Sequence, residues 1–150
     1  MTQTTGLGSF DGKAHILPIR IYYEDTDLSG MVYHANYLRY MERGRTEFFR
    51  LAGVTQMADL ESAKPTAWAI RNVDVKFHSP ARVDDALSVH TILTSISGAR
   101  LTARQRIFSG KTLLTDGRIE ACIVTLSGRP RRIPENIRAL LTPFLYETET

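Results

Sequence analysis

An α+β fold, with one long helix packed across a curved antiparallel sheet, is what this sequence predicts. Three observations predict it. One stretch, Ala35 to Leu51, carries apolar residues at helical spacing. Four stretches after Pro65 are rich in β-branched and aromatic residues and are divided by Gly-containing turns. A further strand-like run lies ahead of the helix.

The elements follow in order. Residues 1–14 are Thr- and Gly-rich with little to bury, which predicts a flexible N-terminal arm. Ile16 to Tyr23 reads as a strand, with Pro18 placing its start near a sheet edge. Glu24 to Gly30 is a polar loop. In the helix, Tyr37, Leu38, Tyr40, Met41, Phe48, Phe49 and Leu51 recur on more than one face, Asn36 is a cap candidate and Gly53 a stop. That width predicts a well-buried helix, so Glu42, Arg43, Arg45 and Glu47 need partners and read as a buried ion-pair group. A short second helix is expected near Gln56 to Ser62.

The four strands are Ala67 to Phe77, Ala86 to Ile96, Leu101 to Phe108 and Thr112 to Leu126, read as a meander through tight turns. Asp116-Gly117 is the strongest hairpin dipeptide present. A turn there would leave only a stub of strand before it, so it reads as a bulge in one long strand. Pro134 opens a short helix, Glu135 to Leu141. The expected organisation is a single domain over residues 15–143, a five-stranded sheet around the central helix, and a polar tail over 144–150.

The totals exclude several classes. At 150 residues, 43% hydrophobic and 23% charged, the chain suits one folded domain. A net charge of +3 is too slight and too scattered for a nucleic-acid binder, though sufficient to attract a small anion. The one cysteine, Cys122, excludes an intrachain disulfide and reads as a core residue in a reducing compartment. No stretch is long and apolar enough to span a membrane, and Met1 to Lys13 lacks a signal-peptide pattern, so the expected location is the cytoplasm. His15, His78 and His90 read as structural.

Chemistry concentrates between Tyr22 and Tyr37. Glu24, Asp25 and Asp27 lie within four residues, Gly30 and His34 follow, and then the helix begins. A helix N-terminus offers unpaired N–H groups to a carbonyl oxygen gaining negative charge. Gly30 lets a ligand approach the backbone. A carboxylate just upstream can activate water or attack the carbonyl itself. Asp, Thr and Asn before a helix are also ordinary loop and cap residues, and the residues alone leave both readings open. Asp25, Asp27 and His34 match no metal-ligand spacing. Three crowded acids predict that at least one holds its proton more tightly.

The run Tyr22-Tyr23-Glu24-Asp25-Thr26-Asp27, Gly30-Met31-Val32-Tyr33-His34-Ala35-Asn36-Tyr37-Leu38 and Glu42-Arg43-Gly44-Arg45-Thr46-Glu47 resembles the signature of hotdog-fold thioesterases of the hydroxybenzoyl-CoA thioesterase branch, including those associated with the Tol–Pal cell-envelope system. Weaker similarity continues through Pro80-Ala81-Arg82 and Arg129-Pro130-Arg131-Arg132. The resemblance implies a hotdog fold and hydrolysis of acyl-CoA, with Asp27 as nucleophile or general base. It implies that backbone around Gly30, Val32, Tyr33, His34 and Ala35 binds and polarises the thioester, that the His34 side chain positions substrate or water, and that Asn36 orders the loop. Arg129, Arg131 and Arg132, with Lys76 or Arg82, become candidates for the coenzyme A phosphates. No cofactor or metal is implied, because coenzyme A is part of the substrate. A homodimer or homotetramer and an indirect link to the Tol–Pal system are implied as well. Two other functions stay open: a hydroxyacyl thioester dehydratase, against which the acid's place before the helix counts, and a noncatalytic acyl-CoA-binding or envelope-associated protein.

Overall fold

The computed structural model describes residues 8–55 and 64–146. Seven strands form one sheet: β1 (Ser9–Asp11), β2 (Ala14–Arg20), β3 (Thr66–Phe77), β4 (Ala86–Ser97), β5 (Arg100–Ser109), β6 (Thr112–Thr125) and β7 (Pro130–Arg131). Among the described residues there are two α-helices, α1 (His34–Ala52) and α2 (Glu135–Leu141), and α1 lies across one face of the sheet. This is the hotdog arrangement. The five predicted strands are β2 to β6, and two short ones extend the set. The expected short helix at 56–62 lies outside the described residues.

The strand order, β1-β2-β4-β5-β6-β3 with β7 on β6, departs from a simple meander. Of the four strands expected to form a meander, β3 to β6, only β4, β5 and β6 follow one another through tight turns. β3 pairs with the last long strand, β6, and residues 78–85 cross to β4. That crossing leaves β3 at an open edge of the sheet.

The arm reading does not hold for residues 9–14. β1 pairs with β2, and Phe10 stacks on Phe144 with ring centroids 4.2 Å apart and meets Phe48 edge-on at 5.0 Å. The same contacts correct the polar tail, since Phe144 and Leu145 pack against the core. Phe10 and Phe144 thus join residues 9–14 and 144–145 to the core. β1 covers only Ala14 to Ile16 of β2, which leaves the Pro18 stretch at an edge, where a missing donor is tolerated.

Asp116-Gly117 sits inside the long strand β6, as expected, but the bulge lies earlier. Ile107 pairs with Thr115 and Phe108 with Leu113, so Leu114 is the extra residue. Gly117 has a packing role instead: a Cβ there would stand 3.0 Å from Met41 Cε and 3.1 Å from Val75 Cγ2. Gly44 of α1 does the same opposite β4 and β5. Its Cβ would meet Val89 Cγ1 at 2.9 Å, Gln105 Nε2 at 3.0 Å and Thr91 Oγ1 at 3.1 Å. The helix therefore lies close on the sheet at its midpoint. Apolar clusters flank that point, one around Tyr37, Tyr40 and Met41, the other around Phe48 and Phe49.

None of the neighbours of Gly44 yields easily. Val89 is β-branched and stiff, and Gln105 is held by 2.8 Å bonds from its amide to Met41 O and Thr91 Oγ1. Gly44→Val is expected to lower stability by about 2–3 kcal/mol through overpacking, measured by denaturant unfolding.

The buried ion-pair group of α1 is not what forms. Glu42 and Arg43 are exposed, Glu47 pairs with Arg50 at 2.5 Å, and Arg45 bonds the neutral Gln105 at 2.9 Å. The sheet covers only one side of the helix, so its charged residues reach solvent. Cys122 is half-buried, not a core residue.

Candidate active site

Asp27 occupies a tight loop between β2 and α1. Its N–H bonds Met31 O at 3.0 Å, and Gly30 N–H bonds back to Asp27 O at 3.1 Å. Gly30 turns the chain at φ +81°, with open space in front of it. Asp27 Oδ1 accepts the Ser29 N–H at 2.8 Å and the Ser29 hydroxyl as well. These two bonds, the hydroxyl first, hold the Asp27 carboxyl below the usual aspartate range, and His34 adds a small pull in the same direction. The crowding of acids predicted a tighter hold on a proton, and for Asp27 the direction is the opposite. Its second oxygen, Oδ2, has no partner among the described residues and is exposed.

The neighbouring acid has another task. Asp25 Oδ2 accepts the Tyr22 N–H at 2.8 Å, while its carbonyl accepts the Tyr33 N–H at 3.0 Å and Asn36 Nδ2 at 2.8 Å. Buried Asn36 thus fastens the loop to the helix. The cap expectation is corrected: Tyr33 is the cap position, without a side-chain bond, and Asn36 lies in the first turn. Tyr40, buried beside Asp25, has its hydroxyl pKa pushed up by burial first and by that carboxylate second.

The amides sort into two groups. Val32 N–H bonds Ala81 O at 2.8 Å and Tyr33 N–H bonds Asp25 O, so neither is free for a ligand. His34 and Ala35 open the helix, and their N–H groups have no acceptor among the described residues. Helix geometry leaves these two donors without an intrahelical acceptor.

Asp27, Ser29, Met31, Val32, His34 and Tyr37 line a cleft of about 350 Å³, closed on the other side by Phe77, His78, Ser79 and Pro80. The His34 ring stands edge-on to Tyr33 at 4.8 Å and to Phe77 at 6.2 Å. His78 therefore lies in the cleft wall. Sequence reading missed Ser29 and the Phe77 to Pro80 wall. Asp-x-Ser spacing is a recognisable Asx-turn signal for Ser29. The wall comes from the distant end of β3, and no local pattern announces it.

Arg129, Arg131 and Arg132 are exposed and stand apart from this cleft. Phe77 pairs with Thr115 and Arg131 with Ile123, so roughly 26 Å of β6 separates them within one chain. Of the basic candidates Arg82 is nearer, bridged to Met31. Among the described residues no three of His, Cys, Asp and Glu are grouped to hold a metal ion. No helix among them is long and apolar enough to cross a membrane.

An acidic loop, free helix amides and a central helix laid on a curved sheet define a hotdog thioesterase. Residues 22–141 match the thioesterase-like superfamily, and the chain belongs to that family. It is 40% identical over 124 residues to the acyl-CoA thioester hydrolase YbgC of Escherichia coli, covering 81% of this chain and 91% of that protein. The acyl-CoA thioesterase YbgC of Haemophilus influenzae is 34% identical over 123 residues, covering 81% of this chain and 90% of its own. A probable thioesterase from Bartonella henselae superposes with a TM-score of 0.78 at 34% identity, over 81% of this chain and 99% of that one.

Proposed function

We propose that this enzyme hydrolyses acyl-CoA thioesters to a free acid and coenzyme A, with Asp27 as nucleophile or general base. One observation carries the reading: the exposed carboxylate of Asp27 and the residue that opens the helix, His34, line the same cleft, and the amides of His34 and of Ala35 next to it are unused among the described residues. A thioester carbonyl placed there points its oxygen at the amides, which stabilise the negative charge of the tetrahedral intermediate. Asp27 Oδ2 stands available on the other side to attack the carbon or take a proton from water. The His34 ring, packed against Phe77, positions substrate or water. Asn36 acts through the loop that it fastens. Coenzyme A arrives as part of the substrate, so no cofactor is needed. Its phosphates sit on surface arginines, Arg82 for the near cleft, or Arg129, Arg131 and Arg132 from a second copy.

A second copy belongs to the same reading. β3 is an open edge, and Ile70, Val73 and Phe77 on it are 47%, 41% and 50% exposed. An unpaired edge with apolar side chains is a template for another strand. Antiparallel pairing of residues 70–77 with their copy sets Ile70 of one chain opposite Phe77 of the other and closes the cleft. A homodimer is then the active unit, and the family resemblance extends it to a homotetramer. The same reading places the enzyme in the cytoplasm, with an indirect connection to the Tol–Pal cell-envelope system.

The test is release of free thiol from a series of acyl-CoAs and one aromatic CoA, followed colorimetrically. Turnover is expected, and absence of thiol release with every substrate would favour a noncatalytic acyl-CoA binder. Its pH profile carries a signature. The Ser29 bonds favour the carboxylate, so Asp27 stays active down to a pH below the usual aspartate range and is lost as pH falls through that lowered pKa. Ser29→Ala removes the larger of those bonds, and the acid limb of kcat/KM is expected to move to higher pH. An unmoved limb would mean that Asp27 is not the titrating group.

A further inference from the structure

Behind the middle of α1 lies a second cavity, of about 320 Å³, between that helix and the first half of β3. Its walls include Phe49, Trp68, Ile70 and Ile123, which make it an apolar slot. Its charged and hydroxyl-bearing lining residues are Glu42, Arg45, Thr46 and Thr66, and Arg45 is the one cation of that lining. The Arg45 guanidinium makes one hydrogen bond among the described residues, from Nη1 to the neutral Gln105 Oε1, and the rest of its N–H fork is unused. The carboxylate nearest by charge, Glu42, is exposed at the rim and forms no ion pair with Arg45 among the described residues. Burial lowers the proton affinity of Arg45, and Glu42 offsets this only in part. A partly buried cation whose one hydrogen-bond partner among the described residues is a neutral amide keeps donors for an anion.

We propose that this cavity receives the far end of the acyl group, and that this end bears a carboxylate bound by Arg45. The proposal rests on the Asp27 cleft being the hydrolytic site. Within one chain Arg45 lies about three turns beyond His34, roughly 16 Å along the helix. In the β3-paired dimer the distance shortens, because Ile70, a wall of this cavity, lies opposite Phe77, a wall of the other copy's cleft. An acyl group leaving one cleft meets the apolar slot first and Arg45 after it. A guanidinium fork matches a carboxylate in two-point geometry, while an acyl group ending in methyl leaves the unused donors of Arg45 without an acceptor.

The experiment compares suberoyl-CoA with octanoyl-CoA, equal in chain length and differing in the terminal carboxylate. Wild-type kcat/KM is expected to favour suberoyl-CoA by about tenfold or more, the scale of one charge-assisted hydrogen bond. Arg45→Met is expected to bring that ratio close to one. Arg45→Met also takes a donor from buried Gln105, so Arg45→Lys, which can keep that bond, serves as a second probe and is expected to retain part of the preference. No preference in the wild type, or an unchanged ratio in folded Arg45 variants, overturns the proposal. A change of oligomeric state with no change of ratio also overturns it, assigning Arg45 to an ion pair between copies. The hydrolytic reading is tested separately in the same assay: Asp27→Asn should depress both substrates equally, and full activity in that variant removes the cleft assignment whatever the ratio.

Discussion

Asp27→Asn is expected to lower kcat/KM for acyl-CoA by about 10³-fold, within the range that a positioned carboxylate contributes, while fold and oligomeric state persist. The substitution separates the two roles open to this residue. As a loop former, Asp27 accepts the Ser29 N–H and hydroxyl through Oδ1. An asparagine carbonyl oxygen can accept both bonds, so the turn survives. As a base or nucleophile, Asp27 needs a negative charge that asparagine lacks. Stability and activity should therefore part company: the unfolding midpoint shifts little and thiol release collapses. A variant that keeps full turnover would return Asp27 to the role of turn residue. A variant that loses activity only by unfolding would leave its chemistry undemonstrated, and circular dichroism with gel filtration tells these outcomes apart. Electrostatics points the same way, since the Ser29 bonds favour the carboxylate over the protonated acid.

The division between what could be read in the sequence and what could not follows sequence distance. Tyr37, Met41 and Phe48 announce α1 because a helix repeats its buried face every few residues, and α1 begins within a residue of its expected start. The bounds of α2 are as expected, since Pro134 marks its start. The Asp27 to Ala35 stretch is legible because carboxylate, glycine and helix start lie within one local segment. Pairing is another matter. Nothing within Thr66 to Phe77 says that it joins β6 and not β4, because strand partners are chosen by the whole sheet. The place of Phe77 and His78 in the cleft wall follows from that choice and was equally hidden. The ionic reading of Glu42 to Glu47 failed for a related reason. Helical spacing shows which residues share a face, but the sheet decides which face is covered, and here it leaves Glu42 and Arg43 in solvent. Asp116-Gly117 reads as a bulge in the sequence, yet Gly117, like Gly44, is a point of close approach between layers.

Val73→Asp is expected to break the assembly and abolish most of the activity together. Val73 sits on β3, the edge strand, midway between Ile70 and Phe77, and is 41% exposed in the single chain. Pairing of this edge with its copy would bury the side chain twice per interface, once from each chain. A carboxylate at that position must then be desolvated without a cation partner. Breaking pairing in buried charge terms costs about 3–5 kcal/mol, enough to weaken association by about 10²–10³-fold. Sedimentation is expected to show a monomer at concentrations where the wild type is associated. Turnover is expected to fall in step, because the cleft then lacks the second copy that covers Phe77. The single chain itself should survive, since the substituted side chain is already partly in water and the β3–β6 ladder does not depend on it. Activity that recovers as the variant is concentrated would tie catalysis directly to association. An associated, fully active Val73→Asp enzyme would show that the open edge is not the contact between copies, and the cleft would have to be complete within one chain.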